Sequence, residues 1–186
     1  MKKVLFATLL MGSVSAAFSQ SNINKGDWML GGDAGFSSQK QGDYKTTSFS
    51  LAPNAGYFFI NSFAGGLRAQ VSSSKSEFGS TESKNSGFSL APFVRYYFLP
   101  ATQKVNLFAD ASFGFGQNKY ESGVVDSKSN FTQLGIKAGP AIFLTPATAL
   151  EIAVGYNSTK IKNVDDRENA FGVNVGFQIH LPGSKK

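Results

Sequence analysis

The chain contains no cysteine and a single histidine, His180. Disulfides are therefore excluded as the device that holds it together, and one imidazole without thiols does not make a zinc cluster. Charged side chains make up only 16% of residues, below the roughly 25–35% usual on a water-facing surface. The one sustained apolar run, Val4 to Met11, is far shorter than the about 20 residues a spanning helix needs. No Gly-x-Ser-x-Gly elbow, P-loop or dinucleotide fingerprint occurs, so the common hydrolytic and nucleotide-dependent chemistries have no starting point. A Ser-His-acid triad would have to use His180, close to the C-terminus, where no nucleophile and orienting acid converge with it. Catalytic residues, cofactors and metals are accordingly expected to be none. The acidic run Asp165-Asp-Arg-Glu168 lacks the glycine and ligand spacing of a calcium loop and reads as a solvated segment.

Lys2 and Lys3 precede the apolar run, and small residues from Ser13 to Ala17 follow it. This is the three-part pattern of a secretory signal, with cleavage expected after Ser19, so that 1–19 is the signal peptide and 20–186 a single domain. The formal charge of +6 falls to +4 when the two leader lysines go, leaving 16 basic against 12 acidic side chains. The high pI of about 9.5 raises nucleic acid as a partner, but an exported chain with scattered lysines argues against it.

Glycine (20) and phenylalanine (18) are abundant instead, and aromatics reach 13%. The stretch Phe49-Ser-Leu-Ala-Pro-Asn-Ala-Gly-Tyr-Phe-Phe-Ile60 returns at 88–99 as Phe-Ser-Leu-Ala-Pro-Phe-Val-Arg-Tyr-Tyr-Phe-Leu. Both copies place large apolar residues on every second position, the pattern of a strand with one apolar face. Eight such runs follow one another, at 28–38, 49–60, 63–73, 88–99, 105–119, 131–144, 149–159 and 170–181. Each is about the 9–11 residues or slightly more that cross a bilayer as a tilted strand. The connections after the second, fourth and sixth runs are tight, at 61–62, 100–104 and 145–147. Those after the others, 39–45, 75–86, 121–129 and 160–168, are longer and polar. Short turns on one side and long loops on the other predict an all-β, closed antiparallel up-and-down transmembrane β-barrel of eight strands.

A soluble barrel would turn the bulky face inward, yet an eight-stranded barrel has room inside only for modest side chains. The other face carries mostly Gly, Ser and Asn. Large residues are therefore expected toward lipid and small polar ones in the lumen. Trp28, Tyr57, Phe59, Phe63, Tyr96 and Phe98 then gather near the turn end as an aromatic girdle. Six charges fall on the inward face: Asp33, Arg68, Arg95, Asp110, Lys137 and Glu151. Three are positive and three negative, and buried charges must pair. They are expected to form a structural lumen cluster that plugs the barrel, with Glu151 also beside His180. Pro53, Pro92 and Pro140 sit inside strands, where a missing N–H is expected to be accommodated by bulges.

The repeated Phe-Ser-Leu-Ala-Pro unit and the closing Phe171-Gly-Val-Asn-Val-Gly-Phe-Gln-Ile-His-Leu181 give the chain a resemblance to small outer-membrane β-barrel proteins of Gram-negative bacteria. It resembles the OmpX/OmpA-like porin-type group as found in Bacteroidetes-like organisms. The resemblance covers nearly the whole mature chain and implies the outer membrane as its location. It also implies the barrel-assembly machinery as a partner during biogenesis, which reads the closing strand through a terminal aromatic. Here Leu181 is followed by Pro-Gly-Ser-Lys-Lys, and Phe177 is expected to serve instead. The expected partners are outer-membrane lipids and lipopolysaccharide, met by lysines at the outer rim. Loops 39–45, 75–86, 121–129 and 160–168 are the candidate contact for an extracellular ligand, and a monomer is expected. The expected function is structural or surface-interacting, with no enzyme activity. The alternatives are a narrow porin-like channel or carrier for small solutes and, third, a barrel-embedded lipid-modifying enzyme.

Overall fold

The computed structural model describes residues 21–79, 81–123 and 125–183; the expected signal peptide lies outside them. The strands are β1 (Trp28–Gln41), β2 (Tyr44–Ile60), β3 (Phe63–Phe78), β4 (Thr81–Tyr97), β5 (Val105–Ser122), β6 (Val125–Thr145), β7 (Thr148–Ile161) and β8 (Arg167–Leu181). Each pairs antiparallel with its neighbours in the chain, and β8 returns to β1, closing an up-and-down barrel. Closure satisfies the backbone groups that an open sheet would leave at its edges.

The period-2 pattern sets the wall's polarity. Phe49, Ile152 and Val175 point outward and are 42–52% exposed, whereas Arg95 and Gln178 point inward and are at most 1% exposed. A protein dissolved in water has the reverse arrangement. The inward face is less uniformly small and polar than its glycines and serines suggest. Near the turn end Met29, Phe58, Phe93, Tyr97, Phe108 and Phe143 also point inward and are buried. A narrow lumen admits them because small residues stand opposite: at Gly66 even a methyl group would come within 2.1 Å of the Ala55 carbonyl oxygen and 2.8 Å of the Phe93 ring.

The expected long outer loops are mostly strand. Residues 39–45, 75–79, 81–86, 121–123 and 125–129 are paired almost to the hairpin tips, where Gly42, Gly79 and Gly123 leave the strands at φ of 60°, 56° and 58°. Glycine in that region is what tight hairpins of this twist require. Only the β7–β8 hairpin has a longer tip, 162–166. The longest stretch outside a strand between two strands, 98–104, lies at the opposite end. Alternation detects a strand with one greasy face; a hairpin wet on both sides has no such signature, so these Ser-, Thr- and Lys-rich segments read as loops.

The prolines do not create bulges. Beside Pro53 the β2–β3 ladder passes from Leu51↔Val71 to Asn54↔Arg68 without change of register. The same gap of two residues follows Leu90↔Phe115 at Pro92 and Ala138↔Val154 at Pro140. On their other side all three prolines remain in register with Gly32, Leu67 and Leu107. The missing N–H thus costs a local break in one ladder and leaves the strand straight. Register shifts occur instead beside the turns, between Phe58 and Ile60 and between Phe143 and Thr145.

One seam differs from the rest. β1 and β8 pair over only six positions, from Trp28↔Leu181 to Asp33↔Gly176. Above that level β1 continues along β2 to Gln41, and β8 along β7 to Arg167.

Candidate functional site

The features that could carry function lie along the barrel axis. At the turn end the segment 21–27 folds beneath the lumen. Ser21 donates from its amide and its hydroxyl to the Ala101 carbonyl (2.8 and 2.6 Å). The Asn22 amide donates to the Pro146 carbonyl (3.0 Å), and the Ser62 amide donates to the Ile23 carbonyl (2.8 Å). Ile23, 1% exposed, enters the apolar cluster formed by Met29, Phe58, Tyr97, Phe108, Phe143 and several alanines.

The charged residues lie directly on this cluster. Register brings them together: Arg95 stands opposite Asp110 on β5, and Asp110 opposite Lys137 on β6. Asp110 accepts from Arg68 Nη2 at 2.8 Å and from Arg95 Nε and Nη2 at 3.2 and 3.1 Å. Arg95 Nη1 donates to Glu151 at 2.6 Å, and Lys137 Nζ donates to Asp33 at 2.7 Å. All six inward charges are thus paired among themselves. The guanidinium groups also rest on aromatic faces, Arg68 4.9 Å from the Phe93 centroid and Arg95 4.4 Å from that of Phe108, a favourable placement for a cation. Glu151 and His180 do not meet directly. The Tyr97 hydroxyl stands between them, donating to Glu151 at 3.3 Å and lying 3.1 Å from His180 Nε2.

Tyr97 was hidden within Tyr96-Tyr97-Phe98, where the outward pair dominates the pattern. Phe58 within Tyr57-Phe58-Phe59 and Met29 between Trp28 and Leu30 were hidden in the same way. Continuous large residues at strand ends, in place of alternation, are the signal that both faces are apolar there.

Among the girdle candidates, Trp28 and Tyr57 are cross-strand partners with ring centroids 5.0 Å apart, and Tyr57 meets Phe59 at 5.4 Å. Tyr96 meets Phe98 at 5.0 Å and faces Phe63 across the β3–β4 ladder. All six lie on or beside β1–β4; at the turn ends of β5–β8 Val105, Leu144 and Leu181 are the exposed large residues.

Above the charges the lumen opens into a polar cavity of about 220 Å³ bounded by Asp33, Lys137, Ser50, Ser112, Asn157 and Asn174 among others. The hairpins beyond carry cations directly opposite one another: Lys40↔Lys45, Lys75↔Lys84, Lys119↔Lys128 and Lys160↔Arg167. In two hairpins an acidic pair sits two positions nearer the tip, Glu77↔Glu82 and Glu121↔Asp126. Lys75 bridges Glu77 and Glu82, both at 2.8 Å, and Lys119 bridges Glu121 and Asp126. The hydrogen bond from Lys75 holds the Glu77 carboxyl below the usual carboxylate range, and its bonds to Glu77 and then Glu82 raise the Lys75 ammonium.

Comparison with known proteins adds the context. A family model described as outer membrane protein beta-barrel domain matches residues 5–178. Among solved structures, Neisserial surface protein A is similar at 23% identity and a TM-score of 0.53, covering 83% of this chain and 97% of that one. OprG from Pseudomonas aeruginosa is similar at 14% identity and a TM-score of 0.50, covering 89% and 100%. At these identities the likeness is one of fold. Among curated proteins none matches the chain.

Proposed function

The chain belongs to the outer membrane protein beta-barrel domain family and resides in the outer membrane, and from that premise we propose a structural, surface-facing role with a lumen closed to solute flow. The observation that carries this reading is the Arg95 network. A guanidinium wholly buried between Asp110 and Glu151, above packed aromatic rings, suits a brace for the wall. An ion passage would need charges free to exchange partners with the permeating ion. Reconstitution in planar bilayers tests it: no stable open current is expected, and a steady single-channel conductance would replace this reading with the narrow pore.

The surface part rests on the opposed cations. Like charges directly across a ladder destabilise it, and all four hairpins carry such a pair. An anionic layer such as lipopolysaccharide phosphates would relieve the repulsion. Lys40, Lys45, Lys84 and Lys128 make no side-chain hydrogen bond or close ion pair among the described residues, although Lys45 stands across from Glu77 and Lys84 from Glu121 on the neighbouring ladders, and they are the candidate contacts. Binding to lipopolysaccharide-containing vesicles is expected to weaken with salt and with Lys40→Gln/Lys45→Gln; indifference to both would count against it. The same hairpins are the proposed contact for an extracellular ligand, and the barrel-assembly machinery is the proposed partner in biogenesis. A catalytic role is not favoured: His180 is buried at the turn end, and the lipid A profile is expected to be the same with and without the protein.

A further inference from the structure

We infer that the upper part of the β1–β8 seam is a lateral portal through which a single-chain, zwitterionic amphiphile places its polar head in the lumen while its chain stays in the outer leaflet. The pairing ends at Asp33↔Gly176. With a climb of roughly 2.5 Å per residue on tilted strands, that level is roughly 13 Å above Trp28. Phe36 and Phe171 stand roughly 20–25 Å above it, still within an apolar band of about 25 Å. The open part of the seam therefore faces hydrocarbon.

Backbone groups facing hydrocarbon need partners. Alternate residues of Ala34–Gln41 and Arg167–Val175 turn their N–H and C=O into the seam, and the neighbouring strands satisfy only the opposite edge. The side chains flanking the gap are the most exposed large apolar ones among the described residues: Phe171 at 80%, Phe36 at 73% and Val173 at 72%. The lumen cavity lies beside the same gap, with Ala34 and Val173 on the two edges among its lining residues. Its floor is the Asp33–Lys137 ion pair and its walls offer Ser50, Ser112 and Asn174. Hydrocarbon lies on one side of the opening and a polar chamber with both signs of charge on the other. A molecule that satisfies both must be an amphiphile, and paired charges favour a zwitterionic head over a singly charged one. The inference goes beyond a closed, surface-facing barrel and does not depend on whether the lumen conducts.

Continuing the existing register would set Phe36 opposite Val173. The chain has no cysteine of its own, so Phe36→Cys/Val173→Cys can lock the seam without competing thiols. The test titrates protonated lysophosphatidylcholine into the protein in deuterated nanodiscs and reads nuclear Overhauser contacts from the choline methyls. Contacts to the amides of Ser50, Ser112 and Asn157 are expected in the wild type, with at least a fivefold loss on oxidation of the double variant and recovery on reduction. Contacts confined to outward-facing residues, or unchanged by oxidation, overturn the proposal. Amide exchange gives an independent reading. Residues 34–36 and 171–175 should exchange faster than residues 88–90, which lie at a similar depth and are paired on both sides, and slow when the lipid is added; equal protection overturns the portal. Disulfide dimers of Phe36→Cys alone would seat a second copy in the seam and overturn it as well.

Discussion

In the turn-end half, the Tyr97 ring meets those of Phe58, Phe108, Phe143 and His180 at centroid distances of 5.9–6.5 Å. In the hairpin half, the lateral contacts include Thr46–Ser76 and Ser48–Ser74, hydroxyl to hydroxyl at 3.1 and 2.9 Å, Gln133–Thr159 at 3.1 Å, and the half-exposed Lys75 and Lys119 bridges. Away from the β1–β8 seam the strands are paired through both halves, so the backbone ladder distinguishes them at that seam alone. The difference lies in what the side chains exchange for water. Buried rings and fully paired charges lose much when disturbed, while half-wet hydroxyl pairs can be replaced by water at little cost. Resistance to unfolding should therefore be concentrated at the turn end, leaving the hairpins free to vary.

The largest effect is expected from Arg95→Leu. It leaves Asp110 and Glu151 buried with one partner fewer, which should cost about 3–5 kcal/mol, read as a shift of the denaturant midpoint in lipid and as weakened heat-modifiable gel migration. Unchanged migration and midpoint would remove the brace. Next comes Ile23→Ala, which opens a cavity in the apolar cluster and should cost about 2–4 kcal/mol in the same unfolding experiment. Asp33→Asn should be milder, roughly 1–3 kcal/mol, because Lys137 keeps a polar neighbour. Ser74→Ala should change the midpoint by less than about 0.5 kcal/mol; a loss comparable with that of Ile23→Ala would erase the contrast between the halves. The smallest effect concerns pH. The Glu77 carboxyl is held low by Lys75, so its contribution is present above the ordinary carboxylate range and is lost as pH falls through its depressed value in the fold. Amide protection at the β3–β4 tip, taken relative to the intrinsic exchange rate at each pH, should fall on acidification, whereas the β1–β2 tip, without such a bridge, should respond less.

The turn-end half also shows where reading the chain worked and where it stopped. Outward residues such as Phe49 and Val175 are legible because lipid imposes a strict two-residue period. The six inward charges stand out because charge is otherwise rare on the alternating runs. What escaped notice has a common cause. Phe58, Tyr97 and Met29 are apolar residues between apolar residues, and periodicity carries no information where both faces are apolar. The Ser- and Lys-rich hairpins are polar on both faces and fail for the mirror-image reason. The early end of the β1–β8 ladder has no local signature at all, since it depends on how two strands more than a hundred residues apart in sequence diverge.

Ser21 through Asp27 touch every connection at their end of the molecule: Ser62 after β2, Ala101 after β4 and Pro146 after β6, with Gly183 beyond β8 bonded to Asp27. Residues 21–27, the first of the described residues in order of synthesis, are thus the last that can be seated, because their docking points do not exist together until the final hairpin is home. Order of synthesis and order of fastening run in opposite directions. An affinity tag fused just ahead of Ser21 would therefore trouble the finishing step of assembly and leave strand insertion untouched.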